Sequence, residues 1–285
     1  MKKFLALLLS GLMVLSLAAC GGETATEDTS TEDTENTENT DTGDVYKRQV
    51  QDKGTLVVGI TYFEPMDYKA EGSDEWIGFD ADMAKAFAES LGVDVEFQEI
   101  TWDYKVEELD SKAIDCVWNG MTLGEDVMAA MGTSVPYCTN AQVLVVPADK
   151  AADFEGLTSL EGLNVAVESG SAGEDAAIAL GATTVPVQSQ ANTLMEVSAG
   201  TSDAAVIDLL MAGAMIGEGT SYEDLTFTLN LNDAQGLPSE EYGVGFRKGS
   251  DLVDAFNEFW AEKVSDGTVL ETATTYGVQD AVILD

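Results

Sequence analysis

The sequence predicts an α/β fold of two similar units, each a mainly parallel sheet flanked by helices. Short apolar runs alternate with longer amphipathic runs along residues 51–285, and this order of strands and helices is typical of parallel sheets. The alternation occurs twice, and a length of about 235 residues suits one large domain or two small ones. We therefore expect two lobes.

The first unit begins with the apolar run GTLVVGI (54–60), which predicts a short buried strand. The run GFDADMAKAFAESLG follows and predicts a helix, because apolar residues from Met83 to Leu91 recur at helical spacing. Asp80 is the expected N-cap of that helix, and Gly92 is its expected end.

The unit continues with a second strand, a second helix and a third strand. VDVEFQEI (93–100) alternates as a half-buried strand does, and residues 101–113 carry apolar side chains at helical spacing. IDCVW (114–118) is apolar enough for a buried strand and leads into the turn-rich stretch NGMTLGEDVMAAMGTSVPY (119–137). That stretch looks like part of a ligand site, although it carries two acidic residues and no basic one.

A second series of strands and helices occupies residues 142–241, which form the predicted lobe 2. It includes NVAVESGSAGEDAAIALG, in which a strand, a Gly-Ser turn and a helix follow one another. The run EEYGVGFRKG then returns to lobe 1, which comprises residues 51–141 plus 242–285. Two extended segments, 140–147 and 241–247, connect the lobes. Ligands of open α/β sheets bind beyond the carboxyl ends of the strands, so we expect the site in the cleft between the lobes.

The N-terminus has the pattern of a secretory signal over residues 1–20. Two lysines precede an apolar run that is shorter than the roughly 20 residues of a membrane span, and small residues lead up to Cys20. This ending resembles a bacterial lipobox, in which the mature chain begins at a lipid-modified cysteine. We therefore expect secretion and anchoring to the outer face of the cytoplasmic membrane. An ordinary signal peptide with an incidental cysteine is the alternative.

An acidic, disordered tether is predicted over residues 21–50. Residues 21–44 contain no apolar residue larger than alanine, so they cannot bury enough surface to offset the entropy of ordering. Mutual repulsion among the acidic side chains extends such a segment. The basic island VYKRQ (45–49) breaks the pattern, and it is either a joint or sequence foreign to the tether.

The composition excludes several classes of function. The chain carries 52 acidic and 13 basic residues, a net charge of −39, so a nucleic acid or an anionic membrane surface would repel it. The absence of histidine excludes Ser-His triads and His-ligated metals. We expect no cofactor and no metal. Cys116 and Cys138 form either one disulfide or two buried thiols, and we favour the thiols.

Five motifs follow one another along the chain: GTLVVGI, GFDADMAKAFAESLG, IDCVWNGMT, EYGVGFRKG and DGTVLETATTYG. In this order they resemble the bacterial extracellular solute-binding proteins of family 3, the polar-amino-acid receptors of ABC importers. The resemblance implies a type II periplasmic-binding-protein-like clamshell, whose two lobes close on a ligand by bending at two crossover strands. It also implies a monomer that binds a small molecule such as an amino acid and delivers it to permease and ATPase subunits, without catalysis.

The resemblance places the first set of ligand contacts on lobe 1. In the loop TYFEPMDY it selects Phe63 as the aromatic residue against the ligand side chain, and Tyr62 is the alternative because the loop is short. Trp102 is the expected second contact. For each aromatic residue, core packing is the competing interpretation.

Polar contacts are expected on both lobes. The resemblance implies that Asn119, Gly120 and Thr122 hold the amino and carboxylate groups of the ligand. In lobe 2, the backbone N–H groups of Ser171 and Ala172 open a predicted helix and favour a carboxylate.

Asp208 resembles the family aspartate that pairs with the ligand α-ammonium, and it ends a predicted strand. A desolvated ammonium needs such a partner, because a lone buried charge costs several kcal/mol. A helix N-cap for residues 209–216 is the alternative role for Asp208, and both roles can hold at once.

The sequence departs from the family pattern at one position. Relatives carry an arginine that grips the α-carboxylate, and Val127 stands in its place. Glu125 and Asp126 beside it would repel a carboxylate. Lys105 is the nearest candidate to replace the arginine, because Arg247 already matches another family position. A cationic or carboxylate-poor ligand is therefore an open alternative.

Two other functions remain open at this point. The same clamshell serves as a sensory module for a signalling partner, and a few relatives are dehydratases of small cyclic acids. In this histidine-free chain the acid/base group of a dehydratase would be a glutamate such as Glu168 or Glu174.

Overall fold

The computed structural model describes residues 45–284, so the predicted signal peptide, the lipobox with Cys20 and most of the tether lie outside the described residues. The strands are β1 (Thr55–Ile60), β2 (Tyr68–Lys69), β3 (Trp76–Ile77), β4 (Asp94–Glu99), β5 (Cys116–Thr122), β6 (Gly132–Thr133), β7 (Cys138–Asn140), β8 (Gln142–Pro147), β9 (Asn164–Glu168), β10 (Thr183–Val187), β11 (Ala204–Asp208), β12 (Leu225–Asn230) and β13 (Glu240–Phe246). The helices are α1 (Val45–Lys53), α2 (Phe79–Leu91), α3 (Lys105–Asp110), α4 (Glu125–Ala130), α5 (Ala172–Ala179), α6 (Gln190–Ser198), α7 (Leu209–Met215), α8 (Leu231–Gln235), α9 (Leu252–Asp266) and α10 (Thr268–Thr275).

The strands form two larger sheets and a small hairpin of β2 and β3. The first sheet has the order β4-β1-β5-β13-β6, with β7 beside β13, and β1 is parallel to both β4 and β5. The second sheet has the order β10-β9-β11-β8-β12, in which β9, β10 and β11 are parallel and β8 and β12 are antiparallel. The chain leaves the first sheet after β7 and returns to it at β13. We call the two halves built on these sheets lobe 1 and lobe 2.

The core of lobe 1 is rich in aromatic side chains. The rings of Trp118 and Phe256 meet edge to face with centroids 4.9 Å apart, and Phe256 stacks on Trp260 at 5.8 Å. Each of these side chains is almost fully buried. Aromatic residues bury large apolar areas, and such paired geometries add about 0.5–1.5 kcal/mol each. These contacts fix α9 against β5, the strand that leads into the site.

Three local predictions differ from the structure. Residues 45–53 form helix α1, whose Val50 is fully buried, so the predicted tether does not extend to residue 50. The helix predicted over 101–113 is a 3-10 turn at 102–104 followed by the short helix α3. Asp80 is not an N-cap but lies inside the first turn of α2, where it accepts hydrogen bonds from more distant residues.

The two cysteines of the described part of the chain are free and buried, in agreement with the preferred alternative. Burial raises the pKa of the Cys116 thiol well above its usual range. Within residues 45–284, no helix combines the length and the apolar character that a bilayer crossing requires.

Candidate functional site: a cavity between the two lobes

A cavity of about 320 Å³ lies between the carboxyl ends of β5 in lobe 1 and of β9 and β11 in lobe 2. Strand ends supply Asn119 to Thr122, Glu168 and Asp208 to its wall. This is where ligands of open α/β sheets bind, because loops and helix N-termini converge there. The cavity therefore lies between the lobes, where the sequence predicted the site, and most of the predicted ligand residues line it.

Asn119 lines the cavity, but its side chain is committed to the protein. Its Oδ1 atom accepts hydrogen bonds from the backbone N–H and the hydroxyl of Thr61 at 3.0 and 2.8 Å. Its Nδ2 atom donates to Asp67 Oδ2 at 2.7 Å and to the Thr61 carbonyl oxygen at 2.9 Å. All the main hydrogen-bonding positions of the amide are occupied. Asn119 therefore positions the loop after β1. Its amide has no free N–H donor for the ligand contact that the sequence predicted.

Gly120 and Thr122 also line the cavity. Gly120 has φ +54°, and a Cβ atom at this position would lie 2.5 Å from Cε1 of Phe63. The Thr122 hydroxyl donates to Glu240 Oε2 at 3.1 Å, which connects β5 to the start of β13. This position therefore requires glycine, because a Cβ atom would collide with the Phe63 ring on the side away from the ligand wall.

Of the three aromatic residues that the sequence predicted as ligand contacts, one lines the cavity. Trp102 lines the cavity and is 6% exposed. Phe63 is 2% exposed and packs edge to face on Tyr242 with centroids 6.3 Å apart, and neither Phe63 nor Tyr62 is among the residues that line the cavity. This corrects the expectation for both residues. The physical reason for Phe63 is that the missing side chain of Gly120 leaves room for its ring in the core.

Ser171 and Ala172 lie at the N-terminus of α5 and line the opposite wall of the cavity. The Ser171 hydroxyl accepts the N–H of Glu174 at 3.1 Å, and the Glu174 carboxylate accepts the N–H of Gly170 at 2.8 Å. These two reciprocal bonds form a capping arrangement that fixes the turn. Glu174 therefore has a structural partner, and it does not line the cavity.

Asp208 ends β11 and is 3% exposed. Its carboxylate accepts hydrogen bonds from the side-chain amides of Asn140, Gln142 and Gln190, and Gln142 Nε2 lies 2.8 Å from Oδ1. Burial, and then the nearby charge of Glu240, raise the pKa of Asp208 to about 7 in spite of these donors. Its side chain makes no capping bond to α7. The carboxylate is thus held rigidly at the cavity wall.

Glu168 ends β9 and is 2% exposed. Its Oε1 atom is buried and has no hydrogen-bond partner among the described residues. Burial, and then the charge of Asp208, raise the pKa of Glu168 to about 8. An unpaired buried carboxyl oxygen at a cavity wall points to a missing partner. The sequence marked Glu168 only as a possible acid/base group, although its place at a strand end was a signal for ligand contact.

The comparisons with known proteins agree with this architecture. The profile of the bacterial extracellular solute-binding proteins, family 3, matches residues 56–279. The chain belongs to this family. The family predicted from the five motifs is therefore confirmed, and so is the two-lobe α/β fold, because structural neighbours share it.

Three similar proteins show the range of this likeness. The arginine-binding extracellular protein ArtP of Bacillus subtilis is 28% identical, with 94% of each chain covered. The L-cystine-binding protein TcyA of Bacillus subtilis is 29% identical over 98% of this chain and 99% of TcyA. The crystal structure of the ancestral amino acid-binding protein AncCDT-1, a precursor of cyclohexadienyl dehydratase, superposes with a TM-score of 0.70 at 29% identity. That superposition covers 81% of this chain and 98% of AncCDT-1.

Acidic side chains outnumber basic ones in the lining of the cavity of this family 3 protein. Val127 lines it and is buried, whereas Glu125 is exposed and lies outside it. Arg247 is also outside it, since its guanidinium donates to the carbonyl oxygen of Ile114 at 2.7 Å in lobe 1. The acidic residues of the lining are Asp126, Glu168, Asp175, Asp208 and Glu240, and Lys105 is the one basic residue. Five acidic residues and one basic residue therefore line the cavity.

Proposed function

We propose that the chain binds an amino acid in the interlobe cavity outside the cell and delivers it to the permease and ATPase of an ABC importer. Asp208 carries this proposal. An α-ammonium group that leaves water needs a buried anion that is already in place, and three amide donors hold the Asp208 carboxylate at the cavity wall. Relatives named for binding arginine and L-cystine support an amino acid as the ligand.

The ligand carboxylate, at the other end of the amino acid, is assigned to the turn before α5. Ser171 and Ala172 line the cavity at a helix N-terminus, where the helix dipole favours a carboxylate. The Ser171 N–H donates to the Glu168 carbonyl oxygen at 3.3 Å, so the N–H of Ala172 is the donor that we assign to the ligand carboxylate. Gly120 and Thr122 complete the wall on lobe 1, and Trp102 offers an apolar surface to the ligand side chain. The rim acids Asp126 and Asp175 favour a ligand whose side chain is positive or neutral.

The proposal includes attachment to the outer face of the cytoplasmic membrane through a lipid on Cys20. The small residues before Cys20, and the acidic segment after it, support this assignment. Delivery from a tethered monomer requires only that the lobes reach a permease in the same membrane. Mass spectrometry of the protein from a bacterial membrane fraction, before and after Cys20→Ala, tests the anchor, since the variant would be released into the medium.

Binding is tested by thermal shift and calorimetry with the common amino acids. We expect at least one amino acid to raise the melting temperature, and Asp208→Asn to weaken its affinity by about 100-fold, because a charged hydrogen bond and a buried ion pair are lost together. Asp153→Asn, the same chemical change at an exposed site of lobe 2, is the control. If no amino acid binds and Asp208→Asn changes nothing, the proposed ligand class is wrong.

One observation favours enzymatic activity as a second candidate function. Because the pKa of Glu168 is raised to about 8, its carboxyl group is largely protonated at pH 7 and could donate a proton. The similarity to AncCDT-1 adds a dehydratase precursor to the neighbours. We expect no water elimination from small cyclic hydroxy acids, and the ultraviolet absorbance of a new double bond checks this. Turnover that disappears in Glu168→Gln would replace the binding proposal by a catalytic one.

A further inference from the structure

Lys105 is a buried cation at the cavity. It begins α3 and is 8% exposed. Of the basic residues in the described part of the chain, it is the one that lines the cavity. Burial lowers the pKa of its ammonium group, and the charge of Asp126 opposes that change.

The ammonium group of Lys105 has no carboxylate partner within 4 Å among residues 45–284. The ion pairs found there involve Lys53, Lys69, Lys85, Arg247 and Lys263. A buried charge without a partner costs several kcal/mol, so proteins rarely keep one unless something else supplies the opposite charge.

The hydrogen bonds of Lys105 leave one donor free. Its Nζ atom donates to the carbonyl oxygen of Trp102 at 3.3 Å and to that of Gly170 at 3.0 Å. An ammonium group has three N–H donors, so one remains for another acceptor. The same Nζ atom lies 5.0 Å from the centroid of the Trp102 ring, a cation–π contact that holds the side chain in this orientation.

Lys105 reaches a part of lobe 2 that is suited to an anion. Gly170, its acceptor, immediately precedes Ser171, the N-cap of the eight-residue helix α5, and Ala172, the first residue of that helix. The Ser171 N–H donates to the Glu168 carbonyl oxygen at 3.3 Å. The free ammonium donor, the N–H of Ala172 and the positive end of the helix dipole therefore lie close together. The partner that this arrangement lacks is an anion.

We propose that Lys105 binds the carboxylate of the ligand, together with the N–H group of Ala172, and so takes the role of the family arginine whose position Val127 occupies. This inference rests on the proposed function and assigns a polarity to the bound ligand. The carboxylate lies at the Lys105 end of the cavity, and the α-ammonium lies at the Asp208 end. Because Lys105 belongs to lobe 1 and its partners to lobe 2, the ligand carboxylate joins the lobes.

The acidic rim offers a competing role for the same lysine. Lys105 could instead offset the charges of Asp126 and Asp175, whose carboxylates lie more than 4 Å from its ammonium group. In that case its removal would strengthen binding of any cation, with or without a carboxylate. The two roles therefore predict opposite effects of removing Lys105 on the affinity for a ligand that carries a carboxylate.

The experiment uses two pairs of probes, L-arginine with agmatine and L-histidine with histamine, in which the second member lacks the carboxylate. Affinities of the purified protein are measured by calorimetry for wild type, Lys105→Met and Lys105→Arg. Lys105→Met keeps the apolar stem of the side chain, and Lys105→Arg keeps the charge. Lys150→Met, at an exposed lysine of lobe 2, is the control, and melting temperatures verify that each variant folds.

We expect wild type to prefer the amino acid in at least one pair. Lys105→Met should lower the affinity for that amino acid by about 30-fold and leave the affinity for its amine unchanged or higher, because only the carboxylate loses a charged partner. Lys105→Arg should restore the preference to within about tenfold. An unchanged preference in Lys105→Met, or equal strengthening for both members, overturns the role of Lys105 while the receptor function stands. If wild type binds no amino acid at all, the proposed function and this assignment fall together.

Discussion

The backbone N–H of Gly120 donates a hydrogen bond to the Asp80 carboxylate at 2.7 Å. The same Oδ2 atom accepts the hydroxyl of Tyr137, also at 2.7 Å. Asp80 lies on α2, Gly120 on β5 and Tyr137 just before β7. One buried carboxyl group therefore ties three elements of lobe 1 together directly behind the cavity wall.

We predict that Asp80→Ala destabilises the protein by about 2–5 kcal/mol, because two buried donors lose their acceptor. Urea unfolding at pH 5 measures the change, since burial raises the pKa of Asp80 to about 7 and the folded carboxyl group is therefore largely protonated there. Asp80→Asn retains an oxygen that accepts both bonds, so its loss should be less than half as large. Equal losses in the two variants would contradict this account.

The close contact between Gly120 and Phe63 gives a second prediction. Gly120→Ala should destabilise lobe 1 by about 1–3 kcal/mol, since the new methyl group meets the Phe63 ring at 2.5 Å and the backbone is left-handed. Gly213→Ala is the control, because that helical glycine has nothing within 4 Å of an added Cβ and should gain up to about 1 kcal/mol. Thermal unfolding of both variants without ligand makes the comparison.

The buried acids of the cavity predict how stability depends on pH. Burial raises the pKa of Glu168 from 4.5 to about 8 and that of Asp208 from 3.8 to about 7. At a pH between the unfolded and the folded pKa of each group, the folded protein binds more protons than the unfolded chain. The contribution of these two groups to the free energy of unfolding is therefore fully present below their unfolded pKa values. That stability is lost as the pH rises through 7 to 8.

The melting temperature of the ligand-free protein should therefore fall between pH 5 and pH 9, and Glu168→Gln and Asp208→Asn should each reduce the fall. Part of the fall should remain, because Asp67 and Asp80 are also buried with raised pKa values. A melting temperature that rises over this range would refute the prediction. For a cationic ligand the opposite trend is expected, with tighter binding as the two carboxylates ionise.

A buried ion pair outside the lining of the cavity gives a test of stability that is separate from ligand binding. Asp115 accepts from Arg247 Nη2 at 3.3 Å, from Lys53 Nζ at 2.6 Å and from the N–H of Val57 at 2.9 Å. We predict that Asp115→Asn costs about 3–5 kcal/mol in urea unfolding, since it leaves the Arg247 charge buried without a carboxylate.

The affinity for the ligand should stay unchanged in Asp115→Asn, because neither Asp115 nor Arg247 lines the cavity. Asp94→Asn, on the exposed side of the same sheet, should change stability by less than about 0.5 kcal/mol. If the fully folded Asp115→Asn variant bound the ligand more weakly than wild type, the ion pair would influence the cavity as well as stability.

Several site residues could be placed from the sequence because their position depends on local chain order. Asp208 ends an apolar strand, and Ser171 and Ala172 follow a strand and open a helix, so the family resemblance together with these strand ends directed them to one edge of the sheets. Asn119 was also placed at the cavity, but its role was not, because Thr61 and Asp67 occupy its amide from a distant loop.

Phe63 and Glu168 show the limit of the same reasoning. An aromatic residue in a polar loop has the same local pattern whether its ring faces a ligand or fills the space above a glycine of another strand. A glutamate at a strand end has the same pattern whether its carboxylate is solvated or buried without a partner. Only the packing of residues distant in sequence distinguishes these cases.

By itself the sequence determined the two-lobe α/β fold, the family and the edge of the sheets where a ligand would bind, since hydrophobic period and motif order are properties of short segments. The tertiary structure decided which carboxylates are buried, which aromatic residue reaches the cavity and that Lys105 of lobe 1 contacts the turn at Gly170 of lobe 2. Burial and charge pairing join segments far apart in the chain, and their free energies depend on distances that a linear pattern does not contain.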